Sequence, residues 1–297
     1  MLPAEIQRIS QITFEFLKYH RACNHSPRTI QFYREKLGLF IKFLNSHDIA
    51  GMQDITAGLI REFILELQQT HNEGGVHAFF RSIRALMNWY EFEYEPGEWK
   101  NPIDKVKAPR VSENLLDPVS QEVVDLLINA CQDSNNCDRD KAVVLFLQAT
   151  GARASEVLSV DRNDLDINAC YAIVRHGKGG YFRYIFFDKK TRVAIKKYLK
   201  NRHDGIPALW ISRYGDRLSY DGLRGIISRL AISAKVKAPP LHAFRRAYAV
   251  DKLMAKVPDL TVVQLMGQHS INALRPYSKL SKELLQRVYI NSTLKKS

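Results

Sequence analysis

The chain has 297 residues, enough for two domains, and an apolar share of 45% allows each a buried core. Lys and Arg number 44 against 31 Asp and Glu, and the resulting +13 at neutral pH fits a polyanion partner. No apolar run is long enough to span a bilayer, the first residues lack the apolar core of an export signal, and Cys23, Cys131, Cys137 and Cys170 form no C-x-x-C or zinc-finger spacing. These features lead to the expectation of a cytoplasmic chain with reduced thiols, no membrane span and no structural metal.

In chain order, residues 5–20 carry Ile6, Ile9, Ile12, Phe16 and Leu17 on one side and predict an amphipathic helix. Ser26 then offers an N-cap and Pro27 a first helical position to a second helix, whose face is Ile30, Tyr33, Leu37, Phe40, Ile41 and Leu44. The same spacing predicts helices over 56–69 and 76–91. Four helices of this length close a small bundle. Their polar sides hold Arg28, Arg34, Lys36, Arg81 and Arg84, which read equally as solvated faces or as phosphate contacts.

Residues 101–116 hold two prolines and little periodicity, so the spacing predicts an extended linker between domains at 1–100 and 117–297. Lys105, Lys107 and Arg110 in it suit a strap lying against a duplex. Charge divides at the same place. Residues 1–108 hold 13 basic and 13 acidic groups, so the whole excess lies beyond them.

The second part predicts helices over 118–131, 140–149, 190–201, 219–234, 242–256 and 259–268. Between them, the aromatic and β-branched residues of 170–187 flank a glycine turn and predict a β-hairpin. The fold class expected is mainly α with a small β-hairpin or sheet.

Four stretches offer chemistry. Thr150-Gly151-Ala152-Arg153 turns sharply after a buried helix, and Glu156, one helical turn on, can orient Arg153. Lys178 sits among the glycines of the hairpin turn, where a mobile loop can carry its ammonium into a groove. His242 and Arg245 lie three apart at a helix start, so both are expected to face outward while Phe244 enters the core. Arg offers a planar fork of donors to phosphate, and His can exchange a proton with a reacting oxygen. Tyr277 follows Pro276 near a loop end and carries a hydroxyl able to act as nucleophile. Taken singly, each has a plain structural reading: surface arginine, turn lysine, satisfied histidine, core tyrosine.

As an ordered set, Arg153…Lys178…His242-x-x-Arg245…Gly267…Tyr277 resembles the tyrosine recombinase (phage integrase) family, including its Xer-like and Cre-like members, over essentially the whole chain. The resemblance implies an N-terminal four-helix core-binding (SAM-like) domain and a mixed α/β catalytic domain of the DNA breaking-rejoining type. It implies strand cleavage by Tyr277 through a 3′-phosphotyrosine, with Arg153 and Arg245 on the non-bridging oxygens. Lys178 is then the acid at the leaving oxygen, His242 assists proton transfer at the nucleophile, and Glu156 orients its neighbours. The family usually has His or Trp directly after the Gly of its Leu-Gly-His segment; here that position is Gln268, with His269 next, and either can fill the role. The reaction implied needs no cofactor, ATP or metal. Its partners are double-stranded DNA recombination sites and three further copies of the chain, a homotetramer on two sites. The apolar residues Leu280, Leu284, Leu285, Val288, Tyr289 and Ile290 read as a final helix docking in cis or in trans. Integration or excision of a mobile element and resolution of DNA remain alternatives. So do a type IB topoisomerase, an architectural DNA-binding protein that has lost catalysis, and a metal-dependent nuclease.

Overall fold

The computed structural model describes residues 8–112, 117–134, 136–175, 182–268 and 270–274, and the chain divides into two compact units at 114/115. The first unit is helical. Helices α1 (Ile9–Ala22), α2 (Pro27–Ser46), α3 (Ala57–Gln68) and α4 (Glu73–Tyr94) bury Phe16, Leu37, Phe40, Phe63, Phe79 and Ile83 against one another. Each of the last three starts where a side chain can accept an orphan backbone N–H. Ser26 accepts from Thr29, Thr56 from Leu59 and Asn72 from Gly75. The Asn72 cap explains why α4 begins three residues before the predicted Val76: a capped first turn tolerates Gly74 and Gly75. The helix runs past the expected 91 to Tyr94, where Glu95 takes a left-handed conformation and stops it.

The start of the expected linker is not extended. Pro102–Lys105 form a 3-10 turn, and Ile103 and Val106 enter the first unit's core. The Asn101 side chain donates to Glu91 and Asn88 and accepts from the Ile103 N–H, while Arg61 donates to the Lys105 carbonyl. Two apolar residues among prolines and charges carry no period, so their burial was invisible to pattern reading. Residues 107–112 have no regular structure.

The second unit is built on α6 (Cys137–Thr150), apolar on all sides: Val143, Val144, Leu145, Phe146 and Leu147 are all buried. Around it lie α5 (Gln121–Ala130), α7 (Ala154–Ser159), α8 (Lys189–Lys200), α9 (Tyr220–Ser233) and α10 (Leu241–Met254). The Ser120 side chain caps α5, so that helix starts three residues after the predicted Pro118. The predicted hairpin is present as β2 (Tyr171–Val174) and β3 (Arg183–Phe186), antiparallel with Val174 opposite Arg183. A third strand, β1 (Leu165–Asp166), pairs with β2 to give the order β1-β2-β3; two residues are too few to show a period.

Helix α11 (Asp259–Leu265) packs on α10 through a small separate core of Tyr248, Ala249, Val262, Val263, Met266 and Leu274. It ends three residues before the predicted Gln268, because Gly267 takes φ +59° and turns the chain away. No helix among the described residues is long and apolar enough to cross a membrane.

Candidate active site

Helix α6 ends at Gly151, whose φ of +57° is left-handed. A Cβ there would lie 2.4 Å from the Tyr248 ring, so only glycine lets the chain turn against α10. Arg153 follows in extended conformation and caps α7. Glu156, 3% exposed, folds back to it. One carboxylate oxygen accepts the Arg153 backbone N–H at 2.7 Å, and the other accepts its guanidinium at 2.8 Å. Both contacts hold the two residues together.

Arg245, on the first turns of α10, was expected to face outward with His242. It is 1% exposed and lies beneath the surface. Its two terminal nitrogens donate to the Gly151 carbonyl at 2.9 Å and the Met266 carbonyl at 2.7 Å. Helical spacing sets only the angle between side chains; it was α11 and its following loop, packed over Arg245, that closed this face. His242 stays exposed. Enough protein still surrounds its ring to disfavour a charge, and Arg246, Arg245 and Arg153 add repulsion, so its imidazole titrates below the usual value of 6.5. It is therefore neutral at pH 7 and able to accept a proton.

A further guanidinium went unremarked in the sequence. Arg183, the first residue of β3, donates to Glu156 at 2.8 Å and to the Leu265 carbonyl at 2.6 Å. Strand alternation could have found it: in Phe182-Arg183-Tyr184-Ile185-Phe186, Arg183 shares the inward face with buried Ile185, while Phe182, Tyr184 and Phe186 are exposed. An arginine on the buried face of a strand needs a partner, and that is the signal.

The arrangement is then simple. Three successive carbonyls at the end of α11 each meet a different guanidinium: Leu265 meets Arg183, Met266 meets Arg245, and Gly267 meets Arg153 at 3.4 Å. Glu156 joins Arg153 to Arg183. Burial raises the Glu156 pKa, but the charge and hydrogen bond of Arg183, then those of Arg153, outweigh it and hold the carboxyl below its ordinary value. Gln268 follows directly, half-buried, its N–H bonded to the Val263 carbonyl. Two guanidiniums are fixed on one carboxylate and a third on the neighbouring carbonyls, so donors for an anion are held in place before one arrives, with the neutral His242 imidazole feeling their charge. Lys178, His269 and Tyr277, and the expected final helix, lie outside the described residues.

The chain is similar to known proteins over most of its length. The phage integrase family matches residues 118–283, and the phage integrase N-terminal SAM-like domain matches residues 14–92. A tyrosine recombinase XerC from Bacillus licheniformis is 27% identical over 301 residues, covering 97% of both chains. Among solved structures, XerH bound to palindromic difH in a post-cleavage complex is similar with a TM-score of 0.74 and 17% identity, over 97% of this chain and 85% of that one. A lambda integrase tetramer bound to a Holliday junction gives a TM-score of 0.74 at 14% identity, over 90% of this chain and 76% of that one.

Proposed function

The chain belongs to the phage integrase family, and from that membership we infer that it is a site-specific DNA recombinase of the tyrosine type. The observation that carries the mechanism is the row of carbonyls at Leu265, Met266 and Gly267, each gripping one arginine around Glu156. A scissile phosphate entering beside Arg153 and His242 meets donors already oriented, so little reorganisation opposes the reaction.

The Tyr277 hydroxyl attacks the phosphorus. Its proton passes to neutral His242, which matters because a free phenol, with a pKa of about 10, is mostly protonated at neutral pH. A bond forms between the Tyr277 oxygen and phosphorus, the bond from phosphorus to the 5′ oxygen breaks, and Lys178 protonates that oxygen as it leaves. Arg153 donates to the non-bridging oxygens from the open side. Arg245 contributes its charge from beneath, where its fixed contacts keep it in place. Gln268, or His269 beside it, supplies a further donor. The 3′-phosphotyrosine conserves the energy of the broken bond, so a 5′-hydroxyl from another strand reverses the steps and rejoins DNA without ATP.

The first unit, over residues 1–100, grips the duplex; residues 117–297 perform the chemistry, and Lys105, Lys107 and Arg110 lie as a strap against the DNA. Exchange between two duplexes needs four cuts and one Tyr277 for each, hence a homotetramer on two sites. The protein acts on DNA in the cytoplasm, and the arrangement of sites on mobile or chromosomal DNA decides whether the outcome is integration, excision or resolution.

The test is a covalent adduct. Duplexes recovered from a random library by binding are nicked near the bound site, incubated with the protein in EDTA, and run on a denaturing gel. An adduct forms with the natural chain and is absent with Tyr277→Phe. An adduct that persists in that variant removes Tyr277 from its role, and cleavage that needs a divalent ion and leaves no adduct points to a metal-dependent nuclease instead.

A further inference from the structure

Resting on that reading, we propose that Arg183 is a positioning residue for the cleavage step: it occupies one oxygen of Glu156 so that Arg153 stays presented to the phosphate, and it fixes the register of the loop that carries Gln268. Its place in the contacts differs from that of its neighbours. Arg153 is 28% exposed by side chain and Arg183 only 12%, so Arg183 stands behind Arg153 rather than beside it. It has no open path to a phosphate and acts through others.

The division of the carboxylate is the first argument. One oxygen of Glu156 accepts one nitrogen of the Arg153 guanidinium. The other accepts the Arg153 backbone N–H and the Arg183 guanidinium. Guanidinium and carboxylate pair best through two parallel bonds, so an unshared Glu156 would draw both terminal nitrogens of Arg153 inward. With Arg183 on the second oxygen, Arg153 gives Glu156 one nitrogen, and the other stays off the carboxylate, held only by a long 3.4 Å contact to the Gly267 carbonyl.

The loop is the second argument, and it is independent of the first. Arg183 donates to the Leu265 carbonyl, two residues before Gly267. A Cβ on Gly267 would lie 2.5 Å from both Cδ and Nε of Arg183, so the loop backbone rests directly on this side chain. Gly267 has φ +59°, which a larger residue adopts only with strain. The Arg183 side chain and the missing side chain at 267 are thus fitted to each other. The contact sets the height of the Gly267 carbonyl that meets Arg153, and with it the start of Gln268. One residue thus ties the Glu156–Arg153 pair to the loop before Gln268.

The test is single-turnover cleavage of the nicked duplex by Arg183→Met and Arg183→Lys, with DNA concentration varied. Misplacing Arg153 and the loop lowers the saturated rate of Arg183→Met by roughly 10- to 100-fold. The half-saturating DNA concentration stays within about threefold, since the lost contacts act on the transition state rather than on binding. Arg183→Lys recovers part of the rate, because an ammonium can occupy the Glu156 oxygen but cannot span to Leu265 as well. In a Glu156→Gln background, adding Arg183→Met costs less than about threefold, because the two residues act as one unit. A saturated rate within threefold of the natural chain in both variants overturns the proposal, as does a full multiplicative loss on top of Glu156→Gln. Should Arg183→Met melt below the assay temperature, Arg183→Lys decides alone: a reduced rate at unchanged half-saturation supports the role, and an unchanged rate sinks it. A natural chain that forms no adduct, or a Tyr277→Phe variant that does, refutes the recombinase reading instead.

Discussion

The two units bury different things. Among the described residues of the first, the buried polar side chains are Thr13, His20, Ser82 and Asn101, none carrying a formal charge at neutral pH, since burial and then His25 depress the His20 imidazole. In the second they include Arg139, Asp140, Glu156, Asp164, Arg245 and Arg246. A bundle of aromatic and aliphatic side chains is specified by shape, and it tolerates rearrangement of like for like. A unit that buries charges must hold every one against a partner, because an unpaired buried charge costs several kcal/mol. That expense has a return: charges fixed in a low-dielectric setting stabilise a transition state without first having to reorient. The contrast fits the proposed placement of the chemistry in the second unit.

The contrast is sharpest under truncation. Glu156→Ala leaves the Arg183 and Arg153 guanidiniums without their shared carboxylate, and the second unit should lose about 3–5 kcal/mol in chemical denaturation. Its cleavage rate at saturating DNA should collapse with it. Phe79→Ala removes a fully buried ring from the first unit at a similar cost of about 3–5 kcal/mol, yet the saturated cleavage rate should hold. A fall in that rate for Phe79→Ala would break the division between a unit that grips and a unit that reacts.

A smaller effect comes from pH. The His242 imidazole titrates below 6.5 in the folded protein, so its neutral form is favoured there. The stability this contributes is complete above the unfolded value near 6.5 and is lost as pH falls through the lower folded value. Cleavage that uses neutral His242 as base follows the same curve, and the acid limb of the rate should have its midpoint below 6.5. A midpoint above 6.5 would assign the limb to another group. The smallest effect belongs to the first unit: Ser26→Ala removes the α2 cap and should cost about 1 kcal/mol, read as a lower melting midpoint with unchanged saturated cleavage.

Much of this was legible in the chain itself. Ser26 with Pro27 announced α2, the run from Val143 to Leu147 announced a buried helix, and Gly151 announced its end. Arg153, His242 and Arg245 stood out through their ordered resemblance to a family, and Glu156 through its one-turn spacing from Arg153. Other features were obscured for identifiable reasons. Asn72 lengthened α4 by a cap that the apolar pattern did not contain. Ile103 and Val106 docked without periodicity. Arg245 was read as outward because a helical wheel knows nothing of the loop that later covers it.

What the sequence determined by itself was local: which segments are helical, where their caps and glycine stops fall, that charge gathers in the second part, and which family the ordered residues resemble. Only the tertiary structure decided that Arg153 meets Gly267, 114 residues away, and that Arg183 and Arg245 take the two carbonyls just before it. The reason is physical. Caps and periodicity act within a few residues and depend on side-chain identity, whereas a carbonyl is the same acceptor at every position, and nothing in its residue's name foretells which distant arginine will reach it.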